Sequence, residues 1–412
     1  MMTKTWLDAF TPECSTWHHN KIASTSTQLV HPDIEKIMPT KEGMQAKLEI
    51  QQWAGYEATP LHHLVTVAKE LKVANIYLKD ESPRFGLGSF KALGGAYAVF
   101  KVLSHLIKEQ TGIEKINSAD LRNGTYASIC KNITVVTATD GNHGKSVAWG
   151  AREFGCQCKI YIHREVSKGR EQAIAKFGCE MVRISGNYDD SVRQADMDSH
   201  KNNWHVVSDT SYPGYMDVPK YVMQGYTILA SEISEQIDGV IPTHVFVPGG
   251  VGGIAAAVSA ELWRIWGKNR PKVVVVEPRA ADCLYQSALS EKPMISHGNL
   301  ETVMACLSAG EVSLLAWDIL SRSANTFMIL SDETIAPSMR RLAKLGIVSG
   351  ESGAATLAGL AAICQNPIAR LSLDIDHDSR ILLLSTEGAT DPEIYKKLVG
   401  VEAGEVVTNL PI

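Results

Sequence analysis

Residues 245–263, VFVPGGVGGIAAAVSAELW, combine a strand pattern, a glycine-rich turn and a helix pattern in one stretch. The run VFV is typical of a buried strand, and the apolar residues after the turn favour a helix. Four of the five residues from Gly249 to Gly253 are glycine. Their backbone N–H groups can point into the loop, and the helix N-terminus adds a partial positive charge. The stretch therefore predicts a phosphate-binding turn between a strand and a helix.

Strand patterns rich in Val and Ile recur on both sides of this stretch and alternate with helix patterns. Such alternation predicts a mostly parallel sheet covered on both faces, and hence a protein of the α/β class. One helix is predicted from Pro60 to Leu71 and another from Lys91 to Lys108. The predicted strands are 76–79, 133–138, 159–163, 180–184, 244–247, 272–277 and 381–385.

The composition is that of an ordinary folded enzyme: the 412 residues are 45% hydrophobic and 21% charged, with a formal net charge of -5. These values exclude a disordered chain and disfavour nucleic acid or an anionic membrane as a partner. The chain starts without an apolar segment, so we expect a cytoplasmic protein. Cys283 and Cys306 can in principle be bridged, but eight cysteines are too few for a disulfide scaffold, so we expect free thiols. Their spacing predicts no metal site.

The segment 82–100, SPRFGLGSFKALGGAYAVF, places Lys91 at the start of a predicted helix. The positive end of the helix dipole and the apolar neighbour Phe90 both lower the pKa of a lysine at this position. Such a lysine can form a Schiff base with a carbonyl group. From this segment alone, a solvated first-turn lysine is the simpler interpretation, because most lysines are surface charges.

The segment 135–150, VVTATDGNHGKSVAWG, repeats the order of strand, turn and helix. Its polar loop, Thr139 to His143, follows the carboxyl end of a strand, where open α/β sheets bind their ligands. The backbone amides of this loop can hold a carboxylate. Asp140 is either a helix N-cap or a catalytic residue. His143 is expected to be a packed helix residue rather than a base.

The glycine turn is also compatible with a second kind of cofactor, a dinucleotide. Gly250, Gly252 and Ala255 have the spacing of a dinucleotide-binding fingerprint, and Glu277 ends the next strand where a ribose-binding acid would lie. A nicotinamide-dependent oxidoreductase is therefore an alternative when this segment is taken alone.

The order of the three segments resembles the pyridoxal-phosphate enzymes of the tryptophan synthase β group, also called fold type II. Within that group the chain is similar to the diaminopropionate ammonia-lyases, from about Thr59 to about Pro392. The motifs that carry the similarity include SFKALGGAYA, ATDGNHG, SDTSYPGY, VPKYVMQGYT, PGGVGG, VVEP, GESGAAT and STEGATDP.

The resemblance implies pyridoxal phosphate as cofactor and Lys91 as the lysine that binds it. Asn142 would hydrogen-bond the phenolic oxygen of the cofactor, and Ser385, with Thr386 as the alternative, would face its pyridine nitrogen. The other implied cofactor contacts are Phe90, Glu351, Gly249, Gly250, Val251, Gly252 and Gly253. The implied substrate contacts are Thr139, Gly141, Asn142, His143 and Asp209.

Asp140 distinguishes this chain from serine and threonine dehydratases, which commonly have a serine just before the GNH triplet. A carboxylate at this position supplies a second base, on the opposite side of the substrate from Lys91. By the resemblance, Asp140 serves D-2,3-diaminopropionate and Lys91 the L isomer. Asp209 would be a further acidic contact, with a turn or helix cap as its alternative role.

The implied fold has two open α/β domains, with the cofactor in the cleft between them. Residues 1–127 and 212–412 are assigned to the large domain and residues 128–211 to the small one. The implied activity is elimination of ammonia from 2,3-diaminopropionate to give pyruvate, with a serine or threonine dehydratase as the alternative. The substrate is a small amino acid, and a homodimer is expected.

Overall fold

The computed structural model describes residues 5–139 and 141–406, which form eleven strands and seventeen α-helices. The strands are β1 Ser15–His19, β2 Leu61–His63, β3 Asn75–Asp80, β4 Thr134–Ala138, β5 Gln157–Ile162, β6 Glu180–Arg183, β7 His205–Val206, β8 His244–Pro248, β9 Lys272–Pro278, β10 Thr326–Leu330 and β11 Arg380–Ser385. The helices are α1 Pro32–Ile37, α2 Thr40–Ile50, α3 Val65–Leu71, α4 Lys91–Thr111, α5 Ser118–Arg122, α6 Ala127–Cys130, α7 Asn142–Phe154, α8 Lys168–Ala175, α9 Tyr188–Asn202, α10 Asp217–Gln236, α11 Gly253–Trp266, α12 Cys283–Ser290, α13 Leu314–Ser323, α14 Ile335–Ala343, α15 Ala355–Gln365, α16 Pro367–Ser372 and α17 Pro392–Val399.

The chain divides into two compact units. The first contains the residues up to Ile37, Ala58–Pro83, and the residues from Leu229 onward. The second contains Met38–Glu57 and Arg84–Ile228. The residues assigned above to a small domain, 128–211, fall within the second unit, which also takes in residues on either side of them. That assignment stays a prediction.

The first unit is built on a seven-stranded sheet with the order β1-β10-β9-β8-β11-β3-β2. The five inner strands run parallel, while β1 and β2 pair antiparallel at the two edges. The inner strands are almost wholly buried, as expected for a parallel sheet covered on both faces. Helix α15 is buried from Ala355 to Ile363 and packs against this sheet.

The second unit contains a parallel four-stranded sheet with the order β6-β5-β4-β7. Its longest helix, α4, packs against α7, and small residues allow the two helices to come close. A Cβ atom on Gly150 of α7 would lie 2.8 Å from the Cα atom of Ala96 in α4. The predicted α/β class with mostly parallel sheets is therefore confirmed in both units.

All seven predicted strands are present, but the helix predicted from Pro60 to Leu71 is wrong at its start. Leu61–His63 forms β2 instead, and the helix begins at Val65. The antiparallel partner β3 decides this, because His63 stacks on Tyr77 with ring centroids 4.8 Å apart and bonds Asn75. Within the described residues, no helix has the length and apolar character needed to cross a bilayer.

Candidate active site

Lys91 is the first residue of α4, as the sequence predicted, and its side chain is 17% exposed. Its ammonium group lies 5.3 Å from the centroid of the Phe90 ring and forms an ion pair with the carboxylate of Asp209. The Ser146 hydroxyl donates to the Lys91 carbonyl at 2.7 Å and accepts from the Ala96 N–H at 3.1 Å. The first turn of α4 is thereby fixed to α7, which holds the lysine backbone in place.

Asp209 and His143 form the rest of this cluster. Burial by itself would raise the pKa of Asp209, but the Lys91 ammonium and His143 hold that pKa well below its usual range. His143 Nε2 donates to the Val207 carbonyl oxygen at 2.8 Å, so the neutral ring presents Nδ1 as an acceptor. Nδ1 lies 3.8 Å from Asp209 Oδ2. Burial and the nearby ammonium lower the pKa of His143, although Asp209 raises it.

The loop before α7 is closed by its own side chains. Thr139 Oγ1 accepts from the N–H groups of Gly141 and Gly144 at 3.0 and 3.1 Å, which satisfies the start of the helix. Asn142 is the first residue of α7 and is buried. Asp140, the predicted second base, lies outside the described residues.

The glycine turn, Gly249–Gly253, lies between β8 and α11, as predicted. Gly250 and Gly252 have φ values of +63° and +99°, which side-chain-bearing residues rarely adopt. A Cβ atom on Gly249 would lie 2.6 Å from Glu277 Cγ. The turn is held by the Gly249 N–H donating to the Val276 carbonyl at 2.8 Å.

Glu277 has a structural role that excludes binding to a ribose. Its side chain is completely buried, and its two carboxyl oxygens accept the N–H groups of Leu284 and Tyr285 at 2.9 and 2.7 Å. The carboxyl group therefore caps helix α12. Burial raises its pKa to about 8, although the two backbone hydrogen bonds lower it.

Another group of buried polar residues, in the first unit, includes Ser385, the last residue of β11. Ser385 Oγ donates to Ser349 Oγ at 2.8 Å, and Thr386 beside it is 3% exposed. Glu351 is also buried. Sequence reasoning missed Glu387, which lies in the STEGATDP motif and accepts the Ser352 N–H at 3.2 Å and the Cys306 thiol at 3.2 Å.

Cys283 and Cys306 form no disulfide, which confirms the expectation from the cysteine count. Cys283 Sγ lies 3.6 Å from the Gly250 carbonyl oxygen, and burial raises the pKa of its thiol well above the usual value. Sequence reasoning also missed Tyr226 of α10, which is 1% exposed and lies beside Lys91 and Asp209. The glycines at positions 94 and 225, in two helix patterns, are the sequence signal that α4 and α10 approach closely there.

Comparison with known proteins identifies the family. The model of the family described as pyridoxal-phosphate dependent enzyme matches residues 53–387. Diaminopropionate ammonia-lyase of Escherichia coli K12 is 36% identical over 389 residues, covering 92% of this chain and 96% of that protein. The chain belongs to the diaminopropionate ammonia-lyase family. The Salmonella typhimurium lyase is 37% identical over 359 residues, 84% of this chain and 88% of that protein. A crystal structure of the E. coli lyase in complex with D-serine aligns with a TM-score of 0.83 and 34% identity, over 96% of this chain and 98% of that one.

A diaminopropionate ammonia-lyase depends on pyridoxal phosphate, so the nicotinamide alternative is wrong. The described residues fit this cofactor. The turn Gly249–Gly253 begins a 14-residue helix whose N-cap is a glycine, and a Cβ atom on Gly252 would lie 2.9 Å from the Ala316 Cβ. The backbone N–H groups at the start of such a helix are suited to bind a phosphate.

Proposed function

We propose that this chain eliminates ammonia from both the D and L isomers of 2,3-diaminopropionate. One molecule of water is consumed, and the products are pyruvate and two molecules of ammonia. The ion pair between Lys91 and Asp209 supports the proposal most directly, because it places an amine beside a carboxylate of lowered pKa in the family's motif positions. The alternative, a serine or threonine dehydratase, has no need of a carboxylate for a second ammonium group.

Pyridoxal phosphate, when bound, withdraws the electron pair left at the α-carbon after proton removal. The Gly249–Gly253 turn is the proposed phosphate site, and Lys91 the proposed point of attachment. Phe90, Asn142 and Glu351 are further proposed contacts of the cofactor.

Ser385 is proposed to face the pyridine nitrogen. Its hydroxyl is neutral and is hydrogen-bonded to Ser349, so it cannot hold a proton on that nitrogen as a carboxylate would. A neutral hydroxyl at this position limits the electron-withdrawing strength of the pyridine ring. It therefore favours direct loss of the β-amine over transamination.

Lys91 and Asp140 are proposed as the two bases, the first for the L isomer and the second for the D isomer. Asp209 is proposed to attract the β-ammonium group of the substrate, because its low pKa keeps it charged throughout the neutral range. We propose that three further residues contact the substrate: Thr139, Gly141 and His143.

The decisive assay measures pyruvate release by the cofactor-loaded protein from D- and L-2,3-diaminopropionate, with D- and L-serine alongside. Release from both diaminopropionate isomers and little from serine is expected. A preference for L-serine would instead assign the chain to the dehydratases. Lys91→Arg should lower turnover of both isomers by roughly a thousandfold or more, because arginine keeps the charge beside Asp209 but cannot attach the cofactor.

Asp140→Asn should lower turnover of the D isomer by about a hundredfold and that of the L isomer much less. Asp378→Asn is the matched control, because that side chain is 81% exposed. An equal loss on both isomers in Asp140→Asn would contradict its role as a base.

We further propose that the chain is a homodimer that acts in the cytoplasm. The absence of disulfides among its eight cysteines, all within the described residues, agrees with a reducing compartment. Closed two-fold dimers are the commonest protein assembly. Size-exclusion chromatography with light scattering should give twice the chain mass of 44.9 kDa, and a monomer would contradict the dimer.

A further inference from the structure

The ring of Tyr226 packs against the start of α4 in the second unit. It packs against Phe90, the residue before Lys91, with ring centroids 4.7 Å apart. Gly94, one turn beyond Lys91, leaves space for it: a Cβ atom at position 94 would lie 2.4 Å from Tyr226 Cε1. The tyrosine ring therefore fills the space beside the first turn of α4.

Packing accounts for the ring of Tyr226 but not for its hydroxyl group. In the described part of the chain this hydroxyl makes no hydrogen bond of full geometry, and a weak side-chain hydrogen bond with Lys91 is the contact that it has. A buried hydroxyl with so weak a partner is unfavourable, and a phenylalanine would pack equally well without that cost. A functional role for the oxygen atom would explain why a tyrosine occupies this position.

The charged groups beside the hydroxyl are the Lys91 ammonium and the Asp209 carboxylate. Burial raises the pKa of Tyr226, the charge of the Lys91 ammonium lowers it, the carboxylate raises it further, and a side-chain hydrogen bond with Lys91 lowers it. Around the same carboxylate lie His143, with its Nδ1 acceptor, and Tyr215, whose hydroxyl donates to the Val206 carbonyl oxygen at 2.9 Å. Tyr226 is thus a described neighbour of both Lys91 and Asp209 whose hydroxyl can accept from the first and donate to the second.

Lys91 cannot react while it is paired with Asp209, because an ammonium group is neither a base nor a nucleophile. When the pair opens, the amine needs a partner to orient its lone pair. The buried carboxylate keeps the Thr210 hydroxyl at 3.5 Å and needs a further donor, because a buried charge with too few partners is costly. A phenol can accept one hydrogen bond and donate another at the same time.

We propose that Tyr226 is a positioning residue for Lys91. Its oxygen accepts an N–H from Nζ, and its O–H donates to Asp209, once the Lys91–Asp209 contact opens. The expected effect of Tyr226 on the reaction rate rests on the proposed function. Its effect on the protonation of Lys91 does not depend on which substrate is used.

The test compares Tyr226→Phe with the wild-type holoenzyme. The first measurement is a pH titration of the absorbance of the bound cofactor, which reports the protonation of the Lys91 nitrogen that carries it. Loss of an acceptor disfavours the protonated nitrogen, so the midpoint should fall by about one pH unit. With diaminopropionate, kcat should fall about tenfold and KM should change less than about twofold, because orientation rather than binding is lost.

Tyr395→Phe is the matched control. Tyr395 is also fully buried, its hydroxyl has no partner among the described residues, and burial is the single cause that raises its pKa to about 12. It should show neither effect. Both variants should unfold at the wild-type temperature or above it, because each removes a buried hydroxyl that lacks a well-formed hydrogen bond.

An unchanged titration midpoint in a folded Tyr226→Phe would overturn the proposal, whatever the effect on kcat. An equal change in Tyr395→Phe would overturn it as well, because the effect would then not be specific to the Lys91 cluster. If the wild type released no pyruvate from diaminopropionate, the proposed function would fail, while the titration would still decide the role of Tyr226.

Discussion

At the scale of single residues, Asp209 and Glu277 are two buried carboxyl groups whose pKa values are shifted in opposite directions. Asp209 has an ammonium partner, which lowers its pKa, whereas Glu277 is bonded by backbone N–H groups and the Cys283 thiol, and burial raises its pKa to about 8. The stability that Asp209 contributes is present above its unfolded pKa and is lost as the pH falls. Glu277 has the opposite sign: its contribution is complete below its unfolded value of 4.5 and is lost as the pH rises through about 8.

The variant Glu277→Gln tests the direction in which Glu277 makes stability depend on pH. Glutamine is neutral at every pH and can accept only one of the two N–H groups of α12, so the variant should be less stable than wild type at pH 5. Wild type should then lose about 1.4 kcal/mol per pH unit relative to the variant on approaching pH 8. Urea unfolding at several pH values measures the difference in unfolding free energy. A difference that stays constant with pH would show that Glu277 is ionised in the folded protein.

At the scale of secondary-structure elements, the contact between α4 and α10 depends on two glycines. A Cβ atom on Gly225 would lie 2.0 Å from the Leu93 carbonyl oxygen, and one on Gly94 would collide with Tyr226 and with Val222 Cγ1 at 2.7 Å. The helices therefore approach closely at the turn that follows Lys91. This contact decides where the Tyr226 ring lies.

Gly94→Ala should destabilise the protein by about 1–3 kcal/mol, because overpacking exceeds the gain in helix propensity. It should also lower the cofactor titration midpoint in the same direction as Tyr226→Phe, since the ring must move. Gly43→Ala in α2 is the control: its Cβ atom would meet Thr227 Oγ1 at 3.3 Å, so a change of less than about 1 kcal/mol is expected. Thermal unfolding and the absorbance titration measure the two effects. Equal results for the two variants would contradict the close contact between α4 and α10 at Gly94.

At the scale of the whole molecule, binding of the cofactor should raise the unfolding temperature. At a hundredfold excess over Kd, a ligand stabilises the folded chain by about 2.7 kcal/mol, which corresponds to a few °C. Pyridoxal without its phosphate should give a much smaller shift at the same concentration, because the Gly249–Gly253 turn would have nothing to bind. Thermal unfolding with each compound measures this, and equal shifts would exclude the turn as the phosphate site.

Much of the fold could be predicted because it depends on local pattern. The seven predicted strands, the start of α4 at Lys91 and the turn after β8 follow from hydrophobic period and glycine placement, which act over a few residues. Of the other four strands, β7 lies in the strand pattern WHVV at 204–207, whereas the edge strands β1 and β2 and the inner strand β10 escaped prediction. A short strand such as Leu61–His63 is held by the register of its partner, and this information is absent from its own residues.

The sequence by itself determined the α/β class, the lysine at a helix start and the glycine turn, because backbone conformation and periodicity are written into neighbouring residues. Only the tertiary structure decided which side chains meet. Asp209 pairs with Lys91 across 118 residues of chain, Glu277 fills the space below Gly249, and Tyr226 reaches Lys91 over Gly94. These contacts depend on how the sheets and helices pack, and packing brings together residues that no local pattern connects.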